Sequence, residues 1–150
     1  MRIALDTNIL VYAEGVNGTV MQRSALDLIG RLRRNEIFLP VQALGELFNV
    51  LTRKASRPRG AARAVVLSWR DMFGLIDTSA AVVLAAADLT ADHQFVIWDA
   101  VILSSAAESG CRLLLSQDLQ DGFTWRGVTV TNPFAPTRHP FLDELLSQGQ

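Results

Sequence analysis

The chain's 150 residues suit a single domain, and a hydrophobic content of 49% with a mean hydropathy of +0.22 excludes a disordered segment. Its longest apolar run, Ala80 to Ala87, is too short to span a membrane, and Asp6, Asn8 and Glu14 interrupt the amino terminus too early for a secretory leader. A net charge of −1 gives no general attraction to nucleic acid, and the lone Cys111 excludes an internal disulfide, so a cytoplasmic protein with an inert buried thiol is expected.

Arg2 to Leu5 reads as a short strand, followed at once by Asp6-Thr7-Asn8 and an apolar helical segment from Ile9 to Ala13. Gly15 and Gly18 bracket a loop, and Thr19 is placed to cap a helix to about Arg34. Glu36 to Leu39 is a second strand, stopped by Pro40. From Val41 to about Lys54, the residues Leu44, Leu47, Phe48 and Leu51 fall on one face of an amphipathic helix. Arg57-Pro58-Arg59-Gly60 reads as a linker before a helix from about Ala61 to Phe73, and Leu75 to Asp77 as a short strand after Gly74. Ser79 opens an alanine-rich helix to about Ala91, and a further helix runs from Ile97 or Trp98 to Ser109, closed by Gly110. Cys111 to Leu115 is a continuous apolar run, the pattern of a strand covered on both faces. Gly127 to Thr131 alternates as a last strand, and the proline-rich end holds a short helix around Phe141 to Leu146.

Strands alternating with helices predict an α/β domain with a central, mainly parallel sheet, in which ligands bind beyond the carboxyl ends of the strands. Asp6 and Asp118 each follow a strand. Glu46 and Asp99 each stand near a helix start, expected at the same edge. Singly, each acid is more simply a turn former or a helix-dipole partner. Together they would repel, and a folded domain tolerates such a cluster when a divalent cation neutralises it. Oxygen-only donors favour Mg²⁺ or Mn²⁺ over zinc, and neither His93 nor His139 has a partner at metal-ligand spacing. Arg53, Lys54, Arg57, Arg59 and Arg63 form a basic stretch without an acid, either a candidate stripe for tracking a nucleic-acid phosphate backbone or a solvated junction.

The segments Leu5-Asp6-Thr7-Asn8-Ile9-Leu10, Leu44-Gly45-Glu46-Leu47, Ile97-Trp98-Asp99-Ala100-Val101-Ile102 and Leu115-Ser116-Gln117-Asp118-Leu119-Gln120-Asp121-Gly122, with the ending Val130-Thr131-Asn132-Pro133-Phe134, resemble the PIN-domain family and within it the VapC-type toxins. The resemblance implies a three-layer α/β/α nuclease domain over residues 1–134 that binds Mg²⁺ or Mn²⁺ and cleaves single-stranded RNA. It implies Asp6, Glu46, Asp99 and Asp118 as catalytic metal-binding acids, with Thr7 or Asn8 and Ser116 orienting them. It also implies a VapB-type antitoxin partner and homodimerisation. Residues 135–150 lie outside it, and their Phe141, Leu142, Leu145 and Leu146 are expected to pack on the domain or on a second subunit. Asp121 offers a fifth acid whose role the sequence leaves open.

Other readings fare less well. A dehalogenase-type phosphatase needs a second Asp where Asn8 stands, and a phospho-receiver needs a lysine on a late strand, whereas the only lysine is Lys54. A nuclease for structured DNA or RNA, or a non-catalytic metal-binding module, stays open at this level.

Overall fold

The computed structural model describes residues 1–148. In chain order its elements are β1 (Ile3–Leu5), α1 (Thr7–Ala13), α2 (Thr19–Arg31), a 3-10 turn (Arg34–Glu36), β2 (Ile37–Pro40), α3 (Val41–Arg53), α4 (Arg59–Met72), β3 (Gly74–Ile76), α5 (Ala80–Asp92), α6 (Ile97–Glu108), β4 (Leu113–Leu115), β5 (Thr124–Trp125), β6 (Val128–Thr131) and α7 (Pro140–Gln148). The six strands lie in the order β3-β2-β1-β4-β6-β5, all parallel except β5. This is the α/β architecture with a mainly parallel sheet that the strand and helix pattern predicts.

The centre of the sheet is apolar because both of its faces are covered. Ile3, Ala4 and Leu5 of β1 and Leu113, Leu114 and Leu115 of β4 are all fully buried, in register Ile3 to Leu113 and Leu5 to Leu115. Burying a side chain of that size contributes about 1.5–3 kcal/mol. Leu47 and Leu51 of α3, Leu89 of α5, Ile102 and Leu103 of α6, and Leu142 and Leu146 of α7 join the same core. The expected boundaries shift where backbone chemistry differs from side-chain pattern. Gly18, with φ of +96°, precedes α2, and Thr19 is its first residue rather than its cap. Pro40 stops β2 as its last residue, in register with Ile76, and leads directly into α3. Arg59 and Gly60 belong to α4, not to a linker. Strand β5 is absent from the sequence reading. It has two residues, and the turn to β6 places Arg126, with φ of +47°, where an Asn or Gly would have signalled a hairpin.

Strands β1, β2 and β3 step outward on one side of the sheet, and β4 pairs β1 on the other. The chain therefore leaves β1 and β4 in opposite directions at a topological switch point, where a crevice opens beyond their carboxyl ends. Among the described residues no helix is long and apolar enough to cross a membrane.

Candidate active site

Asp6 sits at that switch point. Its backbone N–H donates to Leu115 O at 2.9 Å, continuing the β1–β4 pairing by one residue before the chain turns into α1. Asp6 is the N-cap of α1, and its Oδ1 accepts from the Thr7 amide at 2.7 Å. Its Oδ2 accepts from Ser116 Oγ at 2.7 Å and from Asn8 Nδ2 at 3.4 Å. Ser116 follows β4 directly, and its Oγ also accepts from the amides of Asp118 and Leu119, both at 3.2 Å. Asn8 Oδ1 accepts from the Gln117 amide at 3.3 Å. Asn8 and Ser116 thus stitch the turn after β4 to the start of α1 and hold Asp6 in one orientation. Thr7 does the same for α3, donating its hydroxyl to Glu46 Oε2 at 2.7 Å.

Asp6, Glu46, Asp99 and Asp118 line one open cleft of about 520 Å³. Asp6 is buried, Glu46 and Asp99 are half-buried, and Asp118 is exposed at the rim. Asp99 arrives by a different route from the one expected. Its helix α6 follows α5 rather than a strand, and reaches this edge because α6 must run back across the sheet to feed β4. Burial pushes the Asp6 carboxyl up from its ordinary 3.8 to about 6; Ser116 and Thr7 pull it down, and the charges of Asp99 and Glu46 add to the rise. Burial also raises Glu46, countered by the Thr7 hydrogen bond and reinforced by Asp99. Asp99 is raised by burial and then by Asp118.

None of the four acids is in an ion pair among the described residues. As they stand, no three Asp, Glu, His or Cys side chains among the described residues close around a point that would hold a metal. Hard divalent cations take oxygen donors, often only one or two carboxylates, and complete their shell with water. The donor set, all oxygen and mutually repelling, fits the same group.

The remaining candidates separate clearly. Asp121 is exposed outside the cleft, where its Oδ1 accepts from the Asn132 amide at 2.9 Å. His93 packs edge-on against Phe123, and His139 Nδ1 accepts from the Phe141 amide at the start of α7. Cys111 is buried, with its thiol pushed up to about 11 by that burial. Of the basic stretch only Lys54 lines the cleft. Arg57 is committed to Glu14, with Nη2 donating to its carbonyl at 2.9 Å and Nη1 3.4 Å from its carboxylate. Arg59 and Arg63 open instead onto a separate shallow concavity beside Phe48, and Arg53 is exposed on the last turn of α3.

The structure adds cleft residues that the sequence reading leaves out. Tyr12 donates its hydroxyl to Gln117 and is raised by burial and then by Asp118. Gln42 and Asn49 flank Glu46 on the same face of α3, four positions before and three after. That spacing was the available signal, but polar residues on an amphipathic helix read first as its solvent face.

The PIN domain family profile matches residues 3–121, a span that contains all four acids. No match was found among curated proteins. Among solved structures, the VapC20 toxin of Mycobacterium tuberculosis, described as cleaving the sarcin–ricin loop, superposes with a TM-score of 0.64 at 16% identity over 77% of this chain and 89% of that one. The VapBC2 complex of Rickettsia felis bound to promoter DNA gives 0.64 at 20% identity, and a toxin–antitoxin complex from Klebsiella pneumoniae gives 0.65 at 20%. Each of these two matches covers 88% of this chain and 98% of the other. At these identities the likeness is one of fold. The family match over most of the chain carries more: this protein belongs to the PIN-domain family.

Proposed function

We propose that the chain is a metal-dependent endoribonuclease that cleaves single-stranded RNA, and the toxin of a type II toxin–antitoxin pair. The observation that carries this reading is the cleft floor, where Asp6, Glu46 and Asp99 are drawn together and partly desolvated without a cationic partner. Retaining such a costly arrangement is reasonable when a divalent cation binds there. Bound Mg²⁺ or Mn²⁺ supplies the positive charge that polarises a phosphodiester and activates water for in-line attack.

The protein's part is to hold the oxygens still. Ser116 and the Thr7 amide fix the two oxygens of Asp6, leaving their remaining lone pairs toward the cleft. Thr7 fixes Glu46 Oε2 and leaves Oε1 to bind the cation or accept a proton. The Asp99 side chain has no hydrogen-bond partner among the described residues, so no protein contact fixes it against moving onto a ligand. Asp118, held through its backbone by Ser116, stands at the rim as a peripheral ligand.

Two surfaces support the proposed partners. An apolar groove of about 210 Å³ between α1, α2 and α4, lined by Leu26, Ile29, Val65, Trp69, Met72 and Phe73, suits an amphipathic segment of a VapB-type antitoxin. Apolar side chains left exposed on α5 and at the start of α6, Val83, Leu84, Val96 and Trp98, support a homodimer. The deciding experiment offers a labelled single-stranded RNA, a DNA of the same sequence and an RNA duplex to the antitoxin-free protein, with Mg²⁺, Mn²⁺ or EDTA. Cleavage of the single-stranded RNA alone, abolished by EDTA and by Asp99→Asn, is expected. Equal cleavage of DNA, or full activity in excess EDTA, refutes the assignment.

A further inference from the structure

The cleft has a second end that the chemistry above does not use. Helices α1 and α3 run side by side in the same direction. Thr7 meets Glu46 at one end, while Arg57, just past α3, meets Glu14, the C-cap of α1, at the other. The acids occupy the first end. Toward the second the lining changes to Val16, Asn17, Asn49, Val50 and Lys54, with no carboxylate among them. Lys54 is the only cationic side chain on the cleft wall and forms no ion pair among the described residues. Asn17 and Asn49 are exposed, and neither side-chain amide makes a hydrogen bond among the described residues.

Lys54 follows Glu46 by eight positions, which is about 12 Å along the helix axis. That separation along the axis places Lys54 toward a phosphate next to the one held by the acids. Side-chain amides present a donor and an acceptor side by side, the pattern that matches a base edge. In a single strand the Watson–Crick edge is open to such contacts, and apolar surface is open to the base face. We propose that this end of the cleft is a nucleotide-recognition subsite, in which Lys54 holds a phosphate flanking the scissile one and Asn17 and Asn49 read the base seated over Val16 and Val50. The subsite rests on the RNA-cleaving reading above and makes the cut depend on sequence at a position displaced from the bond broken. The Arg57–Glu14 contact keeps its two walls at a fixed separation.

The test combines steady-state cleavage of a labelled single-stranded RNA with end-mapping of a pool randomised around the cut. Variants are Lys54→Ala, Lys54→Arg, Asn17→Ala and Asn49→Ala, with Arg23→Ala on exposed α2 as a control cation and circular dichroism on each. Lys54→Ala should raise KM on the order of 10-fold with kcat changed by less than about 2-fold. The slope of log KM against log salt should fall by about 0.7, as expected for one phosphate contact on a single strand. Lys54→Arg should keep KM near that of the wild type. Asn17→Ala and Asn49→Ala should flatten base preference at one offset position and leave the others unchanged. A folded Lys54→Ala protein with unchanged KM and salt slope, or unchanged preference in both asparagine variants, overturns the subsite while leaving the nuclease reading intact. A wild type that cleaves no RNA overturns both.

Discussion

Asp6→Asn should make the metal-free protein more stable at neutral pH, although it removes a residue at the centre of the site. The perturbation is nearly isosteric. Asn keeps an oxygen for the Thr7 amide and, like the protonated carboxyl, no longer accepts from Ser116 Oγ and Asn8 Nδ2 at the second position. What it removes is a buried charge. The rise of the Asp6 pKa from 3.8 to about 6 corresponds to about 3 kcal/mol, by which the native state disfavours the ionised form. Because the folded pKa is raised, the native state binds more protons than the unfolded chain between about pH 4 and 6. The associated stability is fully present below the lower value and is lost as pH rises through the upper one.

Asn resembles the protonated carboxyl at every pH, so the variant should gain up to about 3 kcal/mol at pH 7.5 and almost nothing at pH 4. For a domain of this size that is a rise in Tm of about 6–12 °C at the higher pH. The assay is thermal melting in EDTA at both pH values, followed at pH 7.5 by titration with Mn²⁺. At 100 times its Kd the cation should add about 2.7 kcal/mol to the wild type and little to the variant, so their order of stability closes up. A variant less stable than wild type at pH 7.5 would refute the argument, as would an equal difference at both pH values.

Further outcomes follow from the same geometry. Glu46→Gln and Asp99→Asn should each reduce single-turnover RNA cleavage on the order of 10²-fold or more, with the double variant far from additive. Asp27→Asn, exposed on α2 and paired only with Arg31, is the control; a folded Asp99→Asn protein cleaving at the wild-type rate would remove the metal assignment. Ser116→Ala should weaken divalent-cation affinity about 10- to 100-fold, because Asp6 loses its shortest side-chain hydrogen bond; unchanged affinity by calorimetry would make Ser116 merely a turn residue. Leu26→Arg, which sets a charge at a half-exposed position of the apolar groove, should abolish antitoxin binding while leaving antitoxin-free cleavage intact; retained binding would move the partner elsewhere.

Much of this was legible from local pattern. The apolar runs Ile3–Leu5 and Leu113–Leu115 are long enough to be strands and lack the alternation of a half-exposed sheet, so the buried parallel core follows from composition. The 3.6-residue spacing of Leu44, Leu47 and Leu51 determines which face of α3 is inward, and with it the opposite face that carries Glu46. Gly110, with φ of +76°, ends α6 as its position predicts. The order of four acid-bearing motifs also identified the family, because motif order survives when overall identity falls. Local pattern places Gly74 before the strand rather than in it. In the sheet it faces Phe38, and any Cβ there would come within 2.6 Å of that ring.

What the chain pattern could not contain is the relation between elements distant in sequence. Ser116 lies 110 positions from Asp6 and donates to it at 2.7 Å, a contact that exists because β4 inserts next to β1 rather than beyond β3. Asp99 reaches the cleft through the return path of α6, which depends on how α5 and α6 cross the sheet and not on any property of the residues around it. The basic stretch shows the same limit from the other side. Five cations look equivalent in sequence, yet packing turns Arg57 to Glu14, sends Arg59 and Arg63 to another surface and leaves Lys54 in the cleft. Local sequence determines which elements form and which of their faces are buried, because those depend on neighbours within a few residues. Which side chains then share a site is decided by strand order and helix crossing, which are properties of the whole packed chain.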